Sequence, residues 1–199
     1  GVQAWRQLVE DFTHEDQSPH QPRELREPPE SETPDAEIDV EAFQTDWREL
    51  QDTHDFFGML REHGVARTQA MRLAPEGYTT EVDVESAGHV LRRASESGTS
   101  IMVFVPNPGC IEIHTGPVHK IVEARGWLNV FDEGFNLHMR QSGFDRAWVV
   151  RKPTEDGMVT SLELFDAQDQ LIAMFFGERK PGIPEDEGWR ELIEQLAEE

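Results

Sequence analysis

SIMVFVP, at residues 100–106, marks the point where the hydrophobic pattern of this chain changes its period. Before it, apolar residues recur every three or four positions, as on one face of a helix. After it they alternate, as along a strand that is buried on one side. Seven further runs of this kind follow, at residues 110–114, 118–123, 127–131, 135–140, 146–152, 158–165 and 170–177. The C-terminal half of the chain is therefore predicted to form a β-sheet.

Short turn signals separate these runs, among them Asn107-Pro108-Gly109 and Glu155-Asp156-Gly157. Asp-Gly between two alternating runs is typical of a hairpin. Parallel neighbours need long crossover connections, so connectors this short predict an antiparallel sheet. Helical patterns occur at residues 40–63, with a break near Asp52, at 83–97 and at about 186–198. Together these features predict an α+β fold, a large antiparallel sheet with flanking helices.

The two ends of the chain carry nearly the same amphipathic pattern, at residues 4–12 and 188–196. Each has Trp-Arg followed by Leu, an aliphatic residue and Glu. Because such self-similarity indicates a repeat, we interpret residues 1–13 as the closing helix of a preceding repeat in a tandem duplication. The alternative is a chance likeness between two amphipathic helices.

Residues 14–40 have the composition of a linker. They hold five of the 12 prolines and nine acidic residues against two arginines. Such a segment buries too little apolar surface to offset its ordering entropy, so we expect it to be extended or disordered. Residues 41–199 then form the folded C-terminal repeat.

The charge balance limits the partners that this chain can have. The 199 residues include 40 Asp and Glu against 18 Lys and Arg, a net charge of −22. This charge repels phosphate backbones and argues against nucleic-acid binding, although it also suits a salt-tolerant surface. No apolar run reaches the roughly 18–20 residues of a membrane helix, so membrane insertion is not expected. The single cysteine, Cys110, excludes an internal disulfide and fits a reducing compartment.

Residues 52–61 read DTHDFFGMLR and place one histidine, His54, on an apolar helical pattern. Positions i, i+3, i+4 and i+7 share a helix face, which here groups His54 with Phe57, Gly58 and Arg61. A glycine inside a helix costs about 1 kcal/mol relative to alanine, so its presence here indicates that something needs the space on this face. A flat ligand against the helix, with the imidazole on its metal, would use that space. The alternative is an ordinary exposed histidine beside a core stripe.

The basic residues are few, and several of them end predicted strands. Arg67 follows the His54 helix, Lys152 ends one strand, and Arg179 follows another beside the aromatic Phe175-Phe176 pair. Cations near an aromatic wall suit an amphipathic ligand that has an apolar body and carboxylate tails. The alternative is that these cations simply pair with the abundant acids or keep the surface soluble.

Several segments, in one order along the chain, resemble a known family. They are DTHDFF (52–57), NPGCIEIHTG (107–116), WLNV (127–130), FNLH (135–138), WVVRKPT (148–154), SLELFD (161–166) and FFGERKPG (175–182). Together they resemble the C-terminal half of the bacterial haemin-degrading or haemin-transport factors of the HemS/ChuS/PhuS type.

This resemblance implies a cytoplasmic haem-binding protein of a bacterial haem-uptake and iron-acquisition system, built from two repeats. It implies His54 as the proximal iron ligand, and Arg67, Lys152 and Arg179 as the cations that bind the haem propionates. The implied apolar haem contacts are Phe57, Met102, Phe104 and Phe176. The distal arginine of the family belongs to the N-terminal half, outside this chain.

Three functions are compatible with these observations. The first is a haem carrier that passes its ligand to a haem oxygenase or another acceptor after uptake by an importer. The second is an enzyme that opens the macrocycle with reductant and oxygen or peroxide, since haem itself supplies much of that chemistry. The third is a protein-interaction module that binds no haem.

Overall fold

The computed structural model describes residues 1–19 and 32–196. Within them the helices are α1 (Val2–Phe12), α2 (Val40–Arg48), α3 (Asp55–Glu62), α4 (Arg67–Leu73), α5 (Ser86–Ser97) and α6 (Glu187–Leu196). The strands are β1 (Thr79–Val82), β2 (Ile101–Pro106), β3 (Ile111–Gly116), β4 (Ile121–Ala124), β5 (Trp127–Asp132), β6 (Phe135–Arg140), β7 (Arg146–Thr154), β8 (Gly157–Phe165) and β9 (Leu171–Gly177). Residues 20–31 of the predicted linker and the last residues of the predicted closing helix lie outside the described part.

The strands of the described residues form two antiparallel sheets. The larger has six strands in the order β1-β7-β8-β9-β2-β3, and the smaller has three in the order β4-β5-β6. The predicted α+β fold with a large antiparallel sheet and flanking helices is therefore confirmed. The division into two sheets was not predicted, because alternation shows which side chains face a core but not which strands pair.

Besides two single-turn 3-10 helices, at Asp35–Glu37 and Gln141–Gly143, the prediction lacked one short helix and one short strand. Helix α4 has seven residues and β1 has four, too few for either period to show. The pairing of β1 with β7, which sets Thr79 opposite Val150, adds an edge strand to the larger sheet. The predicted break near Asp52 is confirmed as the connection between α2 and α3.

One face of the six-stranded sheet is covered by α5, α6 and the smaller sheet. Leu162 and Phe175 of the central strands pack with Leu91 of α5 and Trp189 of α6. The Trp189 indole lies directly on Gly177, where an added Cβ would come within 2.7 Å of it, and its Nε1 donates to the Thr160 carbonyl at 3.0 Å. Glycine at position 177 thus permits the close approach of α6 to β9.

The opposite face is covered only in part. Helices α2, α3 and α4 pack over β7 and β8, where Trp47 and Phe56 meet Val150 and Phe165. Beyond β8 no helix of the described residues covers the same sheet face, and its side chains there are exposed or partly exposed. These side chains are Met174 and Phe176 of β9, Met102 and Phe104 of β2, and Ile111 and Ile113 of β3. We call this surface the open strip.

Helix α1 shows the same apolar spacing as α6 but buries none of it. Trp189 and Leu196 of α6 lie in the core, whereas Trp5 and Phe12 of α1 are 68% and 80% exposed. The stripe that α6 uses for packing is therefore exposed on α1. Its assignment to a preceding repeat stays a prediction.

The end of the predicted linker is folded, contrary to the expectation of an extended or disordered segment. Gln69 of α4 donates its Nε2 to the Thr33 carbonyl and to Asp35 Oδ1, both at 2.7 Å. Arg72 of α4 pairs with Asp35 at 3.0 Å. Specific polar contacts to α4 thus replace the missing apolar burial. No helix in the described parts of the chain is long and apolar enough to cross a membrane.

Candidate functional site

His54 stands immediately before α3, and its side chain is 87% exposed. Its Nδ1 lies 2.6 Å from Asp52 Oδ1, which also accepts the His54 backbone N–H at 2.9 Å. These hydrogen bonds lower the pKa of Asp52 and keep it an anion. A carboxylate that accepts the Nδ1 proton leaves the Nε2 lone pair free for a metal. Of the two acids that flank His54 closely in sequence, Asp52 is therefore the one that orients the ring.

The face of α3 beside His54 is open, as the helical spacing predicted. Phe57 is 59% exposed, and the Arg61 guanidinium lies over its ring at 5.1 Å. Apart from its chain neighbours and the backbone of its own helix, a Cβ added at Gly58 would meet no atom of the described residues within 4 Å. Nothing in the described part of the chain fills the space above Gly58, so a flat ligand could lie against this face.

The open strip is a second uncovered surface, and its side chains are apolar. Cross-strand pairing sets Met102 opposite Phe176 and Phe104 opposite Met174. The Phe104 and Phe176 rings meet edge to face, with centroids 5.2 Å apart. A surface of aromatic rings and methionines suits a large flat apolar ligand, because such side chains adapt to its shape and bury much area.

Glu163 is a completely buried carboxylate at the margin of the open strip, and sequence reasoning missed it. It accepts two hydrogen bonds from Arg67, from Nε at 2.8 Å and Nη2 at 2.9 Å. It also accepts one from Lys152 Nζ at 2.6 Å. Both cations lie over the Phe56 ring of α3, the Lys152 Nζ at 4.6 Å and the Arg67 Cζ at 5.5 Å from its centroid. We call Arg67, Lys152 and Glu163 the buried triad.

The electrostatics of the buried triad keep Glu163 ionised. Burial by itself would raise its pKa, but the two adjacent cations hold the pKa well below its ordinary value. Burial also lowers the pKa of Lys152, and Glu163 opposes that shift. With both cations charged, the triad carries a formal charge of +1 (two cations and one anion), which is held close to the ligand surface.

The predicted cations differ in what they expose. The Arg67 side chain is 22% exposed, and its Nη2 lies 3.5 Å from the Met174 sulfur at the margin of the open strip. Arg179 donates Nη2 to the Thr53 hydroxyl at 3.1 Å, beside the turn that carries His54. Lys152 is only 3% exposed, so the structure does not present its ammonium at the ligand surface.

Two further residues with side chains that could react or bind a metal, His114 and Cys110, lie away from His54. His114 stacks on Phe135 with centroids 3.7 Å apart, on the opposite side of β3 from Ile113. Cys110 is exposed in the turn before β3. Within residues 1–19 and 32–196, no group of three or more His, Cys, Asp and Glu side chains could hold a metal ion. Any metal bound at His54 would need most of its ligands from elsewhere, as the iron of a macrocycle does.

This fold and surface define a class of protein, an α+β domain that presents one histidine and several cations beside an uncovered apolar sheet face. A model of the family described as the haemin-degrading HemS/ChuX domain matches residues 64–196. The chain belongs to this family. The resemblance seen in the sequence is thereby confirmed.

The chain is similar to three proteins whose names refer to haem or haemin. The chain is 37% identical over 198 residues to the hemin transport protein HmuS of Yersinia pestis, covering 98% of this chain and 56% of that protein. It is 44% identical to holo-PhuS, a heme-binding protein of Pseudomonas aeruginosa, with a TM-score of 0.85 over 98% of this chain and 56% of PhuS. It is 36% identical to the heme degrading enzyme ChuS of Escherichia coli O157:H7, with a TM-score of 0.82 over 98% of this chain and 56% of ChuS. The chain thus spans about half the length of these relatives.

Proposed function

We propose that this chain binds haem through Nε2 of His54 and delivers it onward within a bacterial haem-uptake and iron-acquisition system. The observation that carries the proposal is the exposed His54 ring, oriented by Asp52 at 2.6 Å beside an uncovered apolar surface. A neutral imidazole with its second nitrogen hydrogen-bonded to a carboxylate is a good axial ligand for haem iron. Bound haem would supply the redox chemistry of its iron, and this chain would supply the ligand and the slot.

The same surface offers what the rest of a haem needs. Phe57 of α3 and the strip residues Met102, Phe104 and Phe176 would contact the macrocycle, since all four are exposed or partly exposed. Arg67 and Arg179 would receive the propionates, because a guanidinium binds a carboxylate in a planar fork. We assign Lys152 to the support of Arg67 through Glu163, since its own ammonium is buried.

The site of this chain has one wall. Helix α3 and the open strip cover one side of the proposed ligand, and we propose that a preceding repeat, of which α1 is the closing helix, covers the other. Residues 14–40 would then link that repeat to the haem-binding repeat at 41–199. The proposed partners are a haem importer and a haem oxygenase or other acceptor, in the cytoplasm.

Haem degradation is a second candidate, favoured by the 36% identity to ChuS, a heme degrading enzyme. With reductant and oxygen or peroxide, a degrading enzyme would yield one defined tetrapyrrole in the presence of catalase, whereas a carrier would pass intact haem to an acceptor. A protein-interaction module without haem is a third candidate, favoured by the exposed Ile111 and Ile113 on the edge strand β3.

A haemin titration followed by visible absorption tests the proposal. The unsubstituted chain should show a saturable Soret shift, and His54→Ala should abolish or move it. His119→Ala is the matched control, because His119 is also exposed but lies before β4, away from the open strip. Identical spectra for all three chains would remove His54 from the site. The absence of saturable binding by the unsubstituted chain would refute haem binding by this chain alone. The same titration on a chain that includes the preceding repeat would then decide, since absence of binding there would favour the interaction module.

A further inference from the structure

Glu163 fixes the orientation of a cation that the proposed haem site needs. Its bidentate contact takes the Nε and Nη2 edge of Arg67, at 2.8 and 2.9 Å, so the Nη1 end of the guanidinium points away from the carboxylate. The Met174 contact of Arg67 at 3.5 Å sets that guanidinium at the margin of the open strip. Glu163 therefore holds the Nε and Nη2 edge of the Arg67 guanidinium and leaves its Nη1 end for a ligand.

We propose that Glu163 is a positioning residue, which holds Arg67 ready to receive a carboxylate of the bound haem. The role rests on the proposed haem function. An arginine side chain loses rotamer freedom when it binds a ligand, and a group that is ordered beforehand loses less. Glu163 acts through Arg67 and does not itself reach the ligand, because its side chain is fully buried.

Lys152 balances the negative charge of Glu163, so the orientation of Arg67 can be tested without changing the net local charge. The triad joins two cations to one anion, and the Lys152 Nζ is 2.6 Å from Glu163. Replacing Glu163 alone would leave the buried ammonium without a carboxylate, which is strongly destabilising. Replacing both Lys152 and Glu163 by uncharged residues of similar size removes two charges that cancel and leaves the single charge of Arg67. The double variant Lys152→Met/Glu163→Gln therefore separates the position of Arg67 from its charge.

The test compares haemin with haemin dimethyl ester, which lacks the carboxylates, on four forms of the 199-residue chain. These are the unsubstituted chain, Lys152→Met/Glu163→Gln, Arg67→Met, and the triple variant. The double variant should bind haemin about 10-fold more weakly, the effect of about 1.4 kcal/mol, and should bind the diester as the unsubstituted chain does. Against the Arg67→Met background the same double substitution should have no further effect on haemin. The Soret maximum should stay in place, because His54 is untouched.

Three outcomes would overturn the role of Glu163. They are an unchanged haemin affinity in the double variant, an equal loss for haemin and its diester, or a full further loss in the Arg67→Met background. If the double variant does not fold, Glu163→Asp carries the test, since it keeps the charge but is one methylene too short to hold both cations. It should show the same selective loss for haemin, and equal effects on both ligands would overturn the role. Only the absence of binding by the unsubstituted chain would overturn the proposed function as well.

Discussion

Substitution of Gly58 should stabilise the folded chain and weaken its binding of haem. It lies inside α3, and beyond the backbone of that helix and its chain neighbours a Cβ there would meet no atom of residues 1–19 and 32–196 within 4 Å. Gly58→Ala should raise the free energy of unfolding by about 0.5–1 kcal/mol, because alanine is the better helix former and the side chain meets no obstacle. For a chain of this size that is a rise in Tm of about 1–4 °C.

The same methyl group would occupy space that the proposed haem uses. Inserting extra carbon atoms into a close contact costs about 1–3 kcal/mol, so the haemin dissociation constant should rise roughly 5- to 150-fold. Gly58→Leu should weaken haemin binding further while remaining at least as stable as the unsubstituted chain.

Thermal unfolding without ligand and a haemin titration measure the two effects separately. Thr45→Ala is the matched control, since Thr45 is an exposed interior position of α2. It should also raise Tm and leave haemin affinity unchanged, because α2 does not border the open strip. A Gly58→Leu chain that binds haemin as tightly as the unsubstituted chain would refute a ligand over this face of α3. A loss of stability in Gly58→Ala would show that the space above Gly58 is not open.

Two further predictions concern stability alone. Trp189→Ala should lower the free energy of unfolding, measured in urea, by about 3–5 kcal/mol, because its indole is fully buried. Trp5→Ala should change it by less than about 0.5 kcal/mol, because Trp5 is exposed. Equal effects would refute the difference in burial between α6 and α1. Burial raises the pKa of Glu185, whose Oε2 makes no hydrogen bond and lies 3.8 Å from Arg190 Nε. The folded chain therefore holds the carboxyl proton of Glu185 more tightly than the unfolded chain does. The free energy of unfolding should then fall as the pH rises from the ordinary glutamate pKa of about 4.3 through the raised pKa. Glu185→Gln should therefore raise the urea midpoint at pH 7.5 and lose this advantage near pH 4, and a difference that is the same at both pH values would contradict the assignment.

The fold was predictable from the sequence where the signal is local. Alternation and turn residues located β2 to β9 to within a few residues, and the 3.6 period located α5 and α6. What could not be predicted depends on contacts between distant residues. Strand partners decide that β4, β5 and β6 form a separate sheet, and elements as short as α4 and β1 are stabilised by tertiary packing rather than by their own pattern.

The candidate site divides in the same way. The helical spacing of residues 54–61 predicted a shared face, and the structure shows it exposed. Glu163 could not be found, because its partners Arg67 and Lys152 are 96 and 11 residues away in sequence. Within SLELF it reads as an ordinary outward-facing strand residue. The burial of Lys152 was invisible for the same reason, since a cation at a strand end is normally solvated.

The overall charge of the chain and the charge of its site have opposite signs, and the structure explains how both can hold. A net charge of −22 opposes a ligand with two carboxylates, but at physiological ionic strength the field of an exposed charge is screened over about 8 Å. Within that range of the open strip the buried triad has an excess of one positive charge, whereas near His54 the charge of Arg179 is offset by the ionised Asp52. The neighbouring strip residues Met102, Phe104, Met174 and Phe176 are uncharged. A strongly acidic surface is therefore compatible with a local excess of positive charge at the margin of an apolar strip.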